Sequence, residues 1–196
     1  EIIQQVETRN NLEALFFTDK QQVYKVRLNE LEDGKVAQMG IFLPGRLGMD
    51  EDENILSMII TGDYSGYVLF FFAGGKCAKI PLSSYATKLN RRKLLKAYCD
   101  KEPLARMIFL PEDTELAIRT SASRMLLVHS SQIAAKATRD SQGVSVVTLK
   151  KNQTIASVVP AETLELANPH RYRVRSLPAT GTLIRAEDEG EQMSLL

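Results

Sequence analysis

Residues 15–31 read LFFTDKQQVYKVRLNEL, and residues 69–85 read LFFFAGGKCAKIPLSSY. Shifting the first stretch by 54 positions lays Leu15 on Leu69, Phe16 on Phe70, Phe17 on Phe71, Lys25 on Lys79 and Leu28 on Leu82. A third, more divergent copy, AIRTSASRMLLVHSSQI at 117–133, follows the second at an offset of 48. There Ala122-Ser123 stands for Gly74-Gly75, and Ser131 for Ser83. An apolar run, a short turn and a second apolar run describe a β-hairpin.

Working outward, a preceding strand also repeats: ILSMII (55–60), LARMIF (104–109) and, more loosely, TIASVV (154–159). YVLFFF (67–72), CAKIPL (77–82), RMIFL (106–110), RMLLVH (124–129) and GVSVVTL (143–149) are further short runs rich in β-branched or aromatic residues. Turn signals such as TGDYSG, AGG, LPED, SAS and KKNQ separate them. Only ATKLNRRKLLKAYC (86–99) has a helical cast, and it falls in a predicted loop. The pattern predicts an all-β fold. Strand-rich repeats of about 40 to 50 residues are the mark of a propeller-like array, here of about four four-stranded blades. A blade cannot bury both its faces alone, so Phe16, Phe17, Phe70, Phe71 and their neighbours are expected on stacked faces.

The 196 residues suffice for a sizeable core, and a hydrophobic share of 44% with 25% charged residues is ordinary for a globular protein. No run approaches the roughly 18 apolar residues of a membrane span, and no signal-peptide pattern opens the chain. Two cysteines, Cys77 and Cys99, make no disulfide framework, so a reducing cytoplasm is the expected setting. The opening at Glu1, without methionine, has the look of a piece of a longer chain. The net charge of +1 is unevenly spread. Residues 1–57 carry 6 basic and 11 acidic side chains, residues 86–151 carry 13 and 6, and residues 152–196 carry 4 and 6. A positive middle between acidic flanks hints at a face for a polyanion. Residues 1–186 read as one domain, and the acidic tail 187–196 is expected to be disordered.

LFFTDKQQVYKVRLNEL and GDYSGYVLFFFAGGKCAKIPLSSYATKLNRRKL (62–94) resemble the C-terminal domain of the A subunit of bacterial type IIA topoisomerases, DNA gyrase and topoisomerase IV. The likeness runs from about residue 5 to about residue 185 and is closest at 62–98. It implies a β-pinwheel, a propeller-like disc whose basic rim bends and wraps DNA. The partners it implies are double-stranded DNA, the N-terminal breakage-reunion domain of the same polypeptide, and an ATPase B subunit in an A2B2 holoenzyme. It also implies a cytoplasmic, nucleoid-associated setting and no membrane. Chemistry would lie elsewhere: the nucleophilic tyrosine upstream, with ATP and Mg²⁺ serving the holoenzyme. No cofactor is expected in this piece.

A wrapping surface needs many phosphate contacts and little base reading. Lys and Arg on the loops leaving each hairpin suit it. After the second hairpin come Lys88, Arg91, Arg92, Lys93 and Lys96; after the third come Lys136 and Arg139, with Gly143 allowing close backbone approach; Lys150 and Lys151 occupy the next turn. The first excursion is thinner, with Lys35 and Arg46. The glycine-rich basic box of gyrase A subunits is absent, since NRRKLLK (90–96) and TRDSQGV (138–144) lack its paired glycines. That absence, with the short chain, favours a domain of the topoisomerase IV type. The alternatives are a propeller that binds protein and has little affinity for DNA, and a purely structural domain of a degenerate topoisomerase paralogue that keeps the fold without useful DNA affinity.

Enzymatic constellations are weak. Arg171-Tyr172 has the order of the family's arginine and nucleophile, but NPHRYRVRSL reads as an alternating strand near the C-terminal end. Asp50 to Glu53 are consecutive acids, which cannot all converge on one ion. His129 and His170 are far apart in sequence and match no Cys/His metal spacing, there is no glycine-rich phosphate loop, and Cys77 reads as core. No catalytic or metal-binding residue is assigned.

Overall fold

Each of the three hairpins turns through a residue in the left-handed region: Gln21 (φ 52°), Gly75 (φ 95°) and Ser123 (φ 53°). These positions stand in the same register as the repeat itself. A three-residue loop needs one such residue to feed a chain back antiparallel. The computed structural model describes residues 4–31, 33–34, 40–87 and 92–189. The hairpins are β1 (Glu13–Thr18) with β2 (Gln22–Arg27), β4 (Tyr67–Phe72) with β5 (Lys76–Pro81), and β8 (Glu115–Thr120) with β9 (Arg124–His129). Leu15 faces Lys25, Leu69 faces Lys79, and Ala117 faces Leu127, so the three pair alike. A short 3-10 turn follows each, at Leu28–Glu30, Leu82–Tyr85 and Ser130–Gln132.

Every hairpin gains two more strands from later in the chain. β3 (Ile55–Ile60), β7 (Leu104–Leu110) and β11 (Ile155–Pro160) pair with β1, β4 and β8. Each pairing carries an irregularity at the same place, beside Phe17/Thr18, Phe71/Phe72 and Ile155/Ser157. On the other flank β6 (Lys93–Leu95), β10 (Val144–Ser145) and β12 (Thr182–Leu183) pair with β2, β5 and β9. The sheets are therefore β3-β1-β2-β6, β10-β5-β4-β7 and β11-β8-β9-β12. In the first two blades the last strand returns only after the next hairpin has been made, so neighbouring blades are tied by strand exchange. β3 and β11 both lie next to β7, so β6, β10 and β12 form the outer rim.

The all-β blade array holds, with three differences from expectation in its strands. The described residues make three four-stranded sheets where chain length suggests about four. A fourth copy would fall near 165–181, but that stretch holds the 3-10 turn Pro169–Arg171 and a cis Leu177-Pro178 bond, and makes no hairpin. Within the stretch placed in a loop, 93–95 is a rim strand. GVSVVTL contributes only the two residues of β10, because Val147 leaves to bridge Ala179.

Alternate side chains of one strand serve two cores. Phe70 and Phe72 join Leu15, Phe17, Ile80 and Tyr85 between blades 1 and 2, while Leu69 and Phe71 join Leu116, Ile118, Leu126 and Val128 between blades 2 and 3. Phe17 meets Tyr85 edge-on at 5.0 Å, and Phe70 stacks on Tyr98 at 4.9 Å. Phe16, expected in a blade stack, instead lies with Ala14, Tyr24 and Val26 on the far face of blade 1. Leu43 and Leu47 of the one-turn helix α1 (Leu43–Leu47), with Leu28, Leu31 and Met49, cover that face. The far face of blade 3 (Ala117, Met125, Leu127) is covered by Tyr172, Leu164, Leu166 and Ile184. Ala117 stands where Leu15 and Leu69 pack on a following blade, so a cap occupies the place of a fourth.

The expected tail boundary cuts through this cap. Asp188 is 1% exposed, its Oδ2 accepts the Tyr172 hydroxyl at 2.6 Å, and its Oδ1 accepts the Ala167 N–H at 2.7 Å. Residues 187–189 thus belong to the fold, and 190–196 lie outside the described residues. Gly143 also serves the fold: its close approach is to the blade itself. With φ 74°, a Cβ there would stand 1.9 Å from the Cys77 carbonyl oxygen. Gly143→Ala is therefore expected to detach β10 from β5 and lower the melting temperature, while Phe70→Ala, emptying the first core, is expected to cost about 3–5 kcal/mol. Denaturant unfolding of both variants checks these values.

Candidate nucleic-acid interface

The outer rim is built from the excursions that follow each hairpin, and these carry the basic residues. On blade 1, Arg92 precedes β6, Lys93 opens it and Lys96 follows it at φ 52°, all three exposed. On blade 2, Lys136 is tied to the hairpin by its N–H, which donates to the Lys79 carbonyl at 2.8 Å. Arg139 NH1 donates to the Ser84 carbonyl at 3.1 Å, with the guanidinium 5.9 Å from the Tyr85 ring centre. Lys88 and Arg91 lie outside the described residues, as does Lys35.

The remaining expected residues sit elsewhere. Arg46 is on α1, over the far face of blade 1, and donates to the Glu30 carbonyl at 3.2 Å. Lys150 and Lys151 are exposed in the turn before β11. That turn joins the hairpin-tip end of blade 3, because the Ser121 N–H donates to the Thr154 carbonyl at 2.9 Å. The corresponding turn of blade 1 holds Asp50 to Glu53, so the tip end runs from acidic to basic across the array. Basic residues are thus carried on the rims of blades 1 and 2, whereas Arg46 and Lys150-Lys151 form separate groups.

Blade 3 has rim cations that the sequence pattern conceals. The Lys25 N–H donates to the Arg92 carbonyl at 2.7 Å, and the corresponding Leu127 N–H donates to the Tyr172 carbonyl at 2.8 Å. Arg171, Arg173 and Arg175 therefore flank blade 3 where Arg92 and its neighbours flank blade 1. Tyr172 is buried and Val174 half-buried, while the three arginines are exposed. Arg173 is engaged, its Nε 2.7 Å from Glu115 Oε1 and its NH1 2.9 Å from His170 Nδ1. Arg171 and Arg175 make no ion pair with a described residue. The alternation in RYRVR was legible in the sequence, but only strand placement tells a rim segment from an ordinary strand.

Other charged groups serve the fold. Lys25 and Lys79 are buried, at 9% and 3% exposure. Lys79 pairs with Asp113, donates to the Ser130 carbonyl at 3.2 Å, and lies 4.2 Å from the Tyr67 ring centre. Lys25 lies 3.6 Å from Glu13 and 5.3 Å from the Tyr64 ring centre. Burial pushes the Glu53 carboxyl up, but donation from the Thr18 and Tyr24 hydroxyls and the Asp50 N–H outweighs it and holds the group below its ordinary value. Burial and the Asp188 carboxylate raise the Tyr172 phenol, which suits a structural hydroxyl and opposes nucleophilic use. Burial likewise raises the Cys77 thiol. His129 and His170 share one face of blade 3, through its cross-strand partner Glu115 and through Arg173. Among the described residues no three His, Cys, Asp or Glu side chains gather to hold a metal ion, and no helix is long and apolar enough to cross a membrane. A cavity of about 440 Å³ at the hairpin-tip end is lined by Asp19, Asp100 and Glu102, with Lys101 beside them, a lining that repels phosphate.

No family model matches the chain. It is similar to the A subunit of DNA gyrase from Mycoplasma genitalium, at 25% identity over 144 residues, or 73% of the chain and 17% of that protein. It is similar also to the corresponding gyrase polypeptide of Mycoplasma pneumoniae, at 27% over 122 residues, or 62% and 14%. The chain therefore spans about one-sixth of the curated relatives it matches. Among solved structures, the C-terminal domain of DNA topoisomerase IV superposes with a TM-score of 0.64 at 24% identity, over 76% of this chain and 47% of that one. The DNA gyrase A C-terminal domain gives 0.59 at 15%, over 89% and 60%. The E. coli ParC C-terminal domain gives 0.71 at 14%, over 92% and 80%. The fold is that of these domains, a β-pinwheel, and the resemblance read from the hairpin repeats holds.

The cap that aligns Arg171 and Arg175 depends on the ionised Asp188 carboxylate. The Tyr172 hydroxyl above all, and the Ala167 N–H, hold that carboxyl below its ordinary value. Its contribution is therefore present above a pH of about 4 and lost as pH falls through the lowered value. Asp188→Asn is expected to melt below the wild type at pH 7, with the gap closing under acid conditions; thermal melts across pH read this directly.

Proposed function

We propose that this chain is the non-catalytic DNA-binding and DNA-bending domain of the A subunit of a type IIA topoisomerase. The observation that carries the reading is the recurrence of cations on the rim segments of successive blades: exposed Arg92, Lys93 and Lys96, then half-buried Lys136 and Arg139, then exposed Arg171 and Arg175. Neutralising phosphates along one side of a duplex favours curvature toward that side, and a convex rim holds the curved path. Such contacts fix position without reading bases. Lys150, Lys151 and Arg46 add contacts beyond the rim, and Lys88 and Arg91 belong to the same basic excursion.

In this role the domain holds and bends the segment that a catalytic core cuts or passes. The nucleophilic tyrosine, ATP and Mg²⁺ belong to other parts of the holoenzyme, and Tyr172 keeps its structural place. The implied partners are the ATPase B subunit of the holoenzyme and the breakage-reunion domain of the same polypeptide, in the cytoplasm where the chromosome lies. The lack of paired glycines in NRRKLLK and TRDSQGV supports a topoisomerase IV-like role over gyrase-type chiral wrapping. A protein-binding role draws on one feature, the exposed Phe42 (75%) and Ile41 (38%) on the cap of blade 1.

Fluorescence anisotropy of a labelled duplex of several tens of base pairs, titrated at several salt concentrations, tests the reading. A log–log slope steepening by about 0.9 per phosphate contact is expected. Lys136→Glu with Arg139→Glu is expected to weaken binding at least several-fold and flatten the slope. Negligible binding at low salt defeats the proposal and turns attention to the Phe42 surface.

A further inference from the structure

The three rims differ in what surrounds their cations. On blade 1, Arg92 NH2 lies 3.2 Å from Glu30 Oε2. Lys93 Nζ lies 4.0 Å from Asp50 Oδ2 and 5.2 Å from the Tyr24 ring centre. Both carboxylates come from the excursion that caps blade 1, which also carries Glu51 and Asp52. Asp52 is occupied by Lys20 at 2.6 Å, and Arg46, on the same cap, is turned to the Glu30 carbonyl. On blade 2 the guanidinium of Arg139 meets only neutral groups among the described residues, the Ser84 carbonyl and the Tyr85 ring. On blade 3, Arg171 and Arg175 have no carboxylate partner among the described residues, while Arg173 carries the pairing with Glu115.

A cation already paired with a carboxylate gains less from a phosphate, because the incoming anion must displace one of like charge. We infer that duplex DNA seats chiefly on the rims of blades 2 and 3, and that Glu30 and Asp50 hold Arg92 and Lys93 of blade 1 away from phosphate. The inference rests on the DNA-binding reading above. It gives the array a polarity: the duplex is held at the C-terminal blades and leaves the rim where the acidic cap begins. Removing the two carboxylates then extends the contact onto Arg92 and Lys93.

The test uses the same duplex titrations with Glu30→Gln/Asp50→Asn, Arg92→Gln/Lys93→Gln and Arg171→Gln/Arg175→Gln, each shown to be folded by its melting transition. Glu30→Gln/Asp50→Asn is expected to bind about three- to tenfold more tightly at low salt, with a salt slope steeper by about one to two phosphate contacts. Adding Arg92→Gln/Lys93→Gln to that variant removes the gain. In the otherwise unaltered chain, Arg171→Gln/Arg175→Gln causes the larger loss of the two arginine and lysine pairs. A chain that binds duplex with a steep slope, yet is unchanged by Glu30→Gln/Asp50→Asn, overturns the inference while leaving the DNA-binding reading intact. So does a loss at Arg92/Lys93 that equals the loss at Arg171/Arg175. Absence of duplex binding by the unaltered chain overturns the reading beneath it.

Discussion

Burial of both faces of each hairpin is the constraint on which the structure depends. The run from Val68 to Phe72 is almost wholly buried, and its side chains alternate between two different cores. An isolated blade 2 would leave both of those faces in water, at a cost of about 25 cal/mol for every Å² of apolar surface. Stacking removes the cost between blades, and strand exchange makes the stacking hard to undo. Because β6 leaves blade 2 to complete blade 1, and β10 leaves blade 3 to complete blade 2, separating two blades means breaking a ladder of backbone hydrogen bonds as well as a core.

Stacking creates two ends, and both are closed by irregular chain. The excursion after the first hairpin folds α1 back over Phe16 and Tyr24, and the segment after β11 brings Tyr172 over Ala117 and Leu127. Repeat arrays need such terminators, since an uncovered repeat face is an adhesive surface. At the second end the terminator is pinned by a buried polar contact, Tyr172 to Asp188. The cap also fixes the backbone from which Arg171 and Arg175 project, which couples the end of the core to the rim.

Charge is distributed by the same geometry. Buried lysines and their partners are internal fittings, Lys79 with Asp113 between consecutive blades and Lys25 with Glu13 within the first hairpin. Rim cations are left to solvent because strand edges on the outside of a disc have no further layer to bury them. Basic residues close in sequence therefore part company: Lys136 and Arg139 reach the rim, while Lys150 and Lys151 emerge at the hairpin tips.

Much of this was present in the residues themselves. The offset of the repeats, the apolar runs and the small residues at the turns determined the hairpins, their register and the all-β class, because these follow from local alternation and turn chemistry. YVLFFF, RMLLVH and ILSMII coincide with β4, β9 and β3. What only tertiary structure decided is which segment closes which blade. KLL at 93–95 and TL at 182–183 are too short to show a period, and they are strands because a distant partner edge, one blade back for KLL, lacks hydrogen bonds. The same dependence hid Arg171 and Arg175, set the array at three described sheets, and placed Asp188 inside the fold. Local sequence specifies local pairing, whereas the closing of an edge or an end depends on surfaces brought together from far along the chain.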